Sequence, residues 1–131
     1  MRSSETEALT PTSETEAIEI FGDGSNVTVL AGGTILMPDV TYGRYPKGGR
    51  TLMLHRSCLD GIAVFDERVV IGAMVPVAAL VDGPDDLLAR FASQVADSEV
   101  RRTATVGGNI CAPPGRESQR GDLGAPLIAL G

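Results

Sequence analysis

The sequence predicts an α+β fold, on three observations. Val27–Leu30 opens a strand–loop–helix unit, two apolar runs at 62–65 and 68–71 stand close enough to pair as a hairpin, and helix-spaced apolar residues follow residue 74. The chain has 131 residues, 43% of them hydrophobic, which is one ordinary domain that can bury roughly two thirds of its unfolded surface. A real core is therefore expected.

Residues 1–11 are largely Ser, Thr and Glu with little to bury, and are expected to form a disordered leader ahead of a domain over 12–131. Ser13-Glu14-Thr15-Glu16 is a capping-box pattern, and Ala17, Ile18 and Phe21 give the helix an apolar side before Gly22 and Gly24 stop it. Val27-Thr28-Val29-Leu30 is β-rich and runs into Ala31-Gly32-Gly33-Thr34, where Thr34 is expected to cap a helical turn through Ile35, Leu36 and Met37. Residues 42–50, with Pro46 and three glycines, read as a loop, and Thr51–Leu54 as a buried strand. In the hairpin, Asp66-Glu67 makes a polar two-residue turn.

A short helix is expected over Met74–Leu80. A better one starts at Pro84-Asp85-Asp86, with proline and acids in its first turn and Leu87, Leu88, Phe91, Ala92 and Val95 at helical spacing. A second glycine loop, Thr105-Val106-Gly107-Gly108-Asn109, comes next. Cys111–Gly121 has no apolar period, and Asp122 opens a final apolar helix. A helix this apolar normally feeds a further strand that covers it, so the chain reads as cut short at Gly131.

Charge and hydropathy exclude several functions. Residues 1–26 carry Glu5, Glu7, Glu14, Glu16, Glu19 and Asp23 against Arg2, whereas the rest holds eleven acids against ten bases. A near-neutral body without a basic stripe or an aromatic platform argues against nucleic acid. The longest uncharged apolar stretch, Val69–Val81, is 13 residues and is broken by Gly72 and Pro76, short of the roughly 18 that a membrane span needs. With no basic-then-apolar signal pattern, the expected compartment is the cytoplasm, where Cys58 and Cys111 read as free thiols; their spacing matches no metal site.

The two glycine loops carry the chemistry. Glycine lets main-chain N–H groups approach an anion where side chains would collide, so Gly32-Gly33 and Gly107-Gly108 read as two jaws on one phosphorylated ligand. The Thr34 and Thr105 hydroxyls can donate to phosphate oxygens, the Asn109 amide can donate and accept, and the Asp122 carboxylate can accept from a ligand hydroxyl. No Gly-x-Gly-x-x-Gly follows the Val27 strand and no Walker lysine is present, so the Rossmann and P-loop routes lack their signatures. No residue among these makes or breaks bonds.

Taken in order, Leu30-Ala31-Gly32-Gly33-Thr34, the strand around Leu52, Ile71-Gly72-Ala73, Val100-Arg101, Thr105–Asn109 and Asp122 leading into Pro126–Leu130 resemble the FAD-binding subunit of molybdenum hydroxylases over residues 13–131. The resemblance implies a two-subdomain α+β fold with FAD between the subdomains: here about 12–73 and the beginning of the second over 74–131. It implies that Leu30, Ala31, Gly32, Gly33, Thr34, Ile35, Leu36, Thr105, Val106, Gly107, Gly108, Asn109 and Asp122 hold the cofactor. It implies as partners a molybdenum-pterin large subunit and an iron–sulfur small subunit, from which electrons pass through FAD to an acceptor. Two departures stand out: the ten residues Cys111–Arg120 between the second loop and Asp122, and an ending well short of the family's usual length, from which weak or absent FAD retention by the isolated chain is expected.

Structural readings stand beside these. Asp122 can be the N-cap of the last helix, Arg101 and Arg102 sheet-edge or surface cations, His55 a structural histidine, and Cys111 a buried inert thiol. Two other readings of the whole are a cofactor-free remnant or assembly module of the same fold, and another FAD oxidoreductase of the same broad fold. The latter usually carries a different glycine loop and, often, a histidine or cysteine flavin linkage, which this sequence lacks.

Overall fold

The computed structural model describes residues 5–44, 48–112 and 122–131, and the chain divides into two compact units at Leu59/Asp60. Pro46 of the expected 42–50 loop and residues 113–121 of the aperiodic stretch lie outside the described residues.

The first unit is built on a three-stranded parallel sheet in the order β1-β3-β2, from Thr6–Leu9 (β1), Val27–Leu30 (β2) and Gly49–Met53 (β3). β3 lies in the middle, its Leu52 paired with Leu9 on one side and Val29 on the other, and only 2% exposed. Parallel neighbours cannot be joined by a tight turn. Helix α1 (Glu14–Phe21) links β1 to β2 and packs against β3, and helix α2 (Leu36–Thr41) lies between β2 and β3 in the chain.

The expected disordered leader is corrected here, because residues 6–9 form β1. Their side chains do have little to bury, and all but Leu9 are exposed. What orders them is the backbone ladder along the edge of β3, which composition does not record.

Helix α1 starts as the capping pattern requires, with Ser13 Oγ accepting from the Glu16 N–H at 3.1 Å. The return contact differs: Glu16 Oε2 accepts from the Thr12 N–H at 2.7 Å and from the Thr12 hydroxyl at 3.0 Å, rather than from Ser13. The backbone bond from Thr12, then its hydroxyl, hold the Glu16 carboxyl below the usual range. The helix closes at Gly22, whose N–H donates to Ile18 O at 3.0 Å.

The second unit begins with a hairpin of β4 (Ile62–Val64) and β5 (Val69–Ile71), antiparallel, with Phe65 N–H closing the turn on Arg68 O at 2.8 Å. Five short helices follow among the described residues: α3 (Val77–Val81), α4 (Asp86–Ala92), α5 (Ser98–Thr103), α6 (Val106–Ile110) and α7 (Gly124–Leu130). Val75, Val77, Leu80, Ala92, Val95, Ala104, Val106 and Leu123 make one core cluster. Fully burying each of its larger aliphatic side chains contributes about 1.5–3 kcal/mol against an extended chain.

Two helices differ from expectation. α3 begins at Val77, not Met74, because the backbone of 75–77 is used elsewhere: Val77 N–H donates to Ala104 O at 2.8 Å and Val106 N–H to Val75 O at 2.9 Å. α5 was not anticipated. Its apolar period is too weak to see, but Asp97 marks its start, accepting from the Val100 N–H at 2.8 Å as Asp85 does for α4 from Leu88 at 2.9 Å. No helix among the described residues is long and apolar enough to cross a membrane.

Candidate functional site

In the first unit, the turn between β2 and α2 and the two residues that flank it hold seven of the expected contact residues, Leu30 to Leu36 in sequence. Ala31 through Leu36 are half-buried. Gly33 sits at φ +75°, a left-handed conformation that strains any side chain, and a Cβ there would lie 3.1 Å from Met37 Cγ and 3.3 Å from Leu30 Cδ1. The turn is anchored by the Met37 N–H donating to Gly33 O at 2.9 Å. By contrast, the N–H groups of Gly32, Gly33, Thr34, Ile35 and Leu36 donate to no acceptor among the described residues. Five successive donors left free by an αL glycine are the chemistry of an anion cradle.

Thr34 does not cap α2. The N-cap position is Ile35, with no side-chain hydrogen bond, so the Thr34 hydroxyl is not spent on the helix.

The second glycine segment, in the second unit, is helical: α6 runs Val106–Ile110. Thr105 is its N-cap, 5% exposed, with Oγ1 accepting from the Gly108 N–H at 3.2 Å. Gly107 N–H donates to Ala73 O at 2.8 Å, Val106 N–H to Val75 O at 2.9 Å and Asn109 N–H to Thr105 O at 2.9 Å. The expectation that main-chain N–H groups of Gly107-Gly108 meet a phosphate is therefore corrected, since these donors are already engaged inside the unit. The glycine has another cause. A Cβ at 107 would lie 2.9 Å from Ala73 Cβ and 3.0 Å from Ala73 O, so residue 107 is small because two backbones approach there. Ala73 is the partner that sequence reasoning missed, and the Ile71-Gly72-Ala73 run was its only trace.

Asn109 and Asp122 are brought together. Asn109 Nδ2 donates to Asp122 Oδ2 at 3.1 Å, and Asn109 Oδ1 accepts from the Leu123 N–H at 3.0 Å. Asp122 is not the N-cap of α7; that position is Leu123, fully buried, and no side chain caps it.

Of the remaining candidates, the two arginines are engaged within their own unit. Arg101 Nη1 donates to Val95 O at 2.9 Å and to Ala96 O at 3.1 Å, satisfying carbonyls after α4, and Arg102 pairs with Glu99. His55 is exposed in a 3-10 turn after β3. Cys111 is exposed, contrary to the buried thiol expected, because α6 ends there at the surface. No cluster of three or more His, Cys, Asp or Glu suited to a metal occurs among the described residues.

Residues 4–131 match the family described as the FAD binding domain in molybdopterin dehydrogenase. The carbon monoxide dehydrogenase medium chain of Hydrogenophaga pseudoflava is 36% identical over 107 residues, covering 76% of this chain and 37% of that protein. Among solved structures, carbon monoxide dehydrogenase from the same organism, in a form lacking the Mo-pyranopterin moiety, superposes at a TM-score of 0.73 with 34% identity, over 84% of this chain and 40% of the other. Quinoline 2-oxidoreductase from Pseudomonas putida 86 gives 0.72 at 25% identity, with coverage of 84% and 40%. Reconstituted CO dehydrogenase from Oligotropha carboxidovorans gives 0.71 at 26%, with 83% and 40%. The chain thus spans about two fifths of the relatives it matches. Its mixed α+β architecture is the fold these FAD-binding subunits share. With the family matched along nearly its whole length, the chain belongs to the FAD-binding domains of molybdopterin dehydrogenases.

Proposed function

We propose that this chain is the part of an electron-transferring oxidoreductase subunit that takes hold of FAD, and that it does so first through the Gly32–Leu36 turn. The observation that carries this reading is the run of five N–H donors around an αL glycine with no acceptor among the described residues, in a family whose cofactor is FAD. Those donors suit the diphosphate, and the Thr34 hydroxyl stands in the same turn. In the second unit Asp122 is the group suited to accept from a ribityl or ribose hydroxyl, while Thr105 to Gly108 shape the backbone behind it. When bound, the isoalloxazine supplies the redox chemistry; the protein holds and orients it. The partners proposed are a molybdenum-pterin subunit and an iron–sulfur subunit, delivering electrons for an acceptor beyond, by analogy with the multi-subunit relatives.

Titration of the ¹⁵N-labelled chain with FAD tests this, because amide shifts report weak as well as tight binding. Saturable shifts confined to amides of residues 32–36 and the vicinity of Asp122 are expected. FAD that leaves the 32–36 amides unmoved up to millimolar concentration refutes the reading. A second reading, a cofactor-free module that keeps the fold, is favoured by one observation: the second glycine segment spends its amides internally. The same titration separates the two.

A further inference from the structure

The Asn109 carboxamide is spent at both ends on its own chain. It donates to Asp122 Oδ2 at 3.1 Å and accepts from the Leu123 N–H at 3.0 Å, so one side chain on α6 fixes both the carboxylate and the first turn of α7 across 13 positions of sequence. Both contacts are partly buried, and Leu123, the residue so held, is a fully buried member of the core. Asp122 Oδ1, by contrast, has no partner among the described residues. A short side chain with a donor and an acceptor both engaged has little left to offer a ligand, whereas a carboxylate gripped at one oxygen presents the other at a fixed angle.

We propose that Asn109 is a positioning residue, not a ligand contact, and that it acts by locking Asp122 so that Oδ1 meets a ligand hydroxyl. This rests on the FAD reading above. It assigns separate work to two residues that the sequence treats alike: Asp122 touches the ligand, and Asn109 acts only through Asp122. Substituting Asn109 in isolation removes both the grip on Asp122 and the acceptor of a buried N–H, so stability and affinity fall together. Once Asp122 has lost its charge, nothing further is left for Asn109 to lose in binding.

A double-mutant cycle on the full chain tests this, with FAD as the probe, amide shifts for affinity and thermal unfolding for stability. Asp122→Asn is expected to weaken FAD about tenfold, the loss of one hydrogen bond to a charged acceptor, with little change in unfolding. Asn109→Ala is expected to weaken FAD by a similar factor and to lower the unfolding midpoint, and the double variant to bind no more weakly than Asp122→Asn. Additive losses mean that Asn109 itself contacts the ligand, and overturn the proposal. So does an Asn109→Ala chain that is less stable but binds FAD normally, or an Asp122→Asn chain with unchanged affinity; in either case shifts at 32–36 still uphold the proposed function. A wild-type chain that shows no shifts there overturns that function and this proposal with it. The swap N109D/D122N serves where Asn109→Ala is too unstable to titrate, because it rebuilds both hydrogen bonds with one polarity reversed. In the swap the amide at 122 donates to the carboxylate at 109 and turns its oxygen toward the ligand, so midpoint and affinity are both expected to recover relative to Asn109→Ala, and a swap that regains stability but not affinity overturns the proposal.

Discussion

Gly107→Ala adds one methyl group where α6 meets the segment before α3. The new carbon would lie 2.9 Å from Ala73 Cβ and 3.0 Å from Ala73 O, while ordinary contacts begin near 3.4 Å. The neighbours are a Cβ and a backbone carbonyl, so neither can swing away as a long side chain would. Relief requires the two backbones to part by roughly half an ångström, which stretches the 2.8 Å bond from Gly107 N–H to Ala73 O and loads the adjoining Val106–Val75 and Val77–Ala104 bonds. Overpacking of this kind costs about 1–3 kcal/mol and a weakened hydrogen bond about 1 more. The better helix propensity of alanine returns about 0.8–1 kcal/mol. The net expectation is a loss of about 1–3 kcal/mol, which lowers the unfolding midpoint by roughly 5–10 °C in a chain of this size. Thermal and urea unfolding measure it, with Gly124→Ala as the matched control: that position has nothing within 4 Å of an added Cβ, so the same chemical change should be neutral or slightly stabilising. A Gly107→Ala chain as stable as wild type refutes the steric account of this glycine.

Other outcomes follow from the same contacts. Gly33→Ala forces a side chain to φ +75° and against Leu30 and Met37, so it should cost about 1–2 kcal/mol and abolish the FAD-dependent shifts at 32–36; unchanged shifts in the titration count against the cradle. Thr105→Val removes the acceptor of the Gly108 N–H and is expected to cost about 1 kcal/mol in urea unfolding, with Thr105→Ser restoring most of it. The Glu16 carboxyl, held below its ordinary 4.5 by Thr12, and that of Asp23, held below 3.8 by the Ser25 N–H and side chain, stabilise the fold when ionised. Their contribution is complete above those ordinary values and is lost as pH falls through the lower folded ones, so Glu16→Gln should flatten the acid limb of the first unit's pH–stability profile below about pH 4.5. Hydrogen exchange at residues 6–9 should show protected amides in the β1 ladder; uniformly fast exchange there would restore the leader reading.

The fold was legible where local chemistry decides it. Ser13 and Asp85 announced α1 and α4, the β-branched run at 27–30 announced β2, and the paired runs at 62–71 announced the hairpin. β1 was hidden because Thr6, Glu7 and Ala8 contribute backbone rather than apolar surface to the sheet, and α5 because Val100 is its one apolar residue. Within the candidate site, Gly33 was readable as a turn glycine because its conformation is local. Gly107 looked identical in sequence yet answers to Ala73, 34 positions earlier, a relation no local pattern contains. Asn109 and Asp122 were picked out as polar groups near one another in function, but their mutual hydrogen bond depends on how α6 and α7 pack.

Because the strand made last in the first unit is the one that sits between the other two, this sheet cannot assemble in order of synthesis. Thr6–Leu9 and Val27–Leu30 have no partner until Gly49–Met53 emerges and slots between them, so the first carries bare strand edges for some forty residues of growth and the second for about twenty. Such an arrangement trades quick local closure for a late, all-at-once zipping, and it makes the nascent first unit the stage at which a ribosome-bound chain is most open to wrong pairing or chaperone capture.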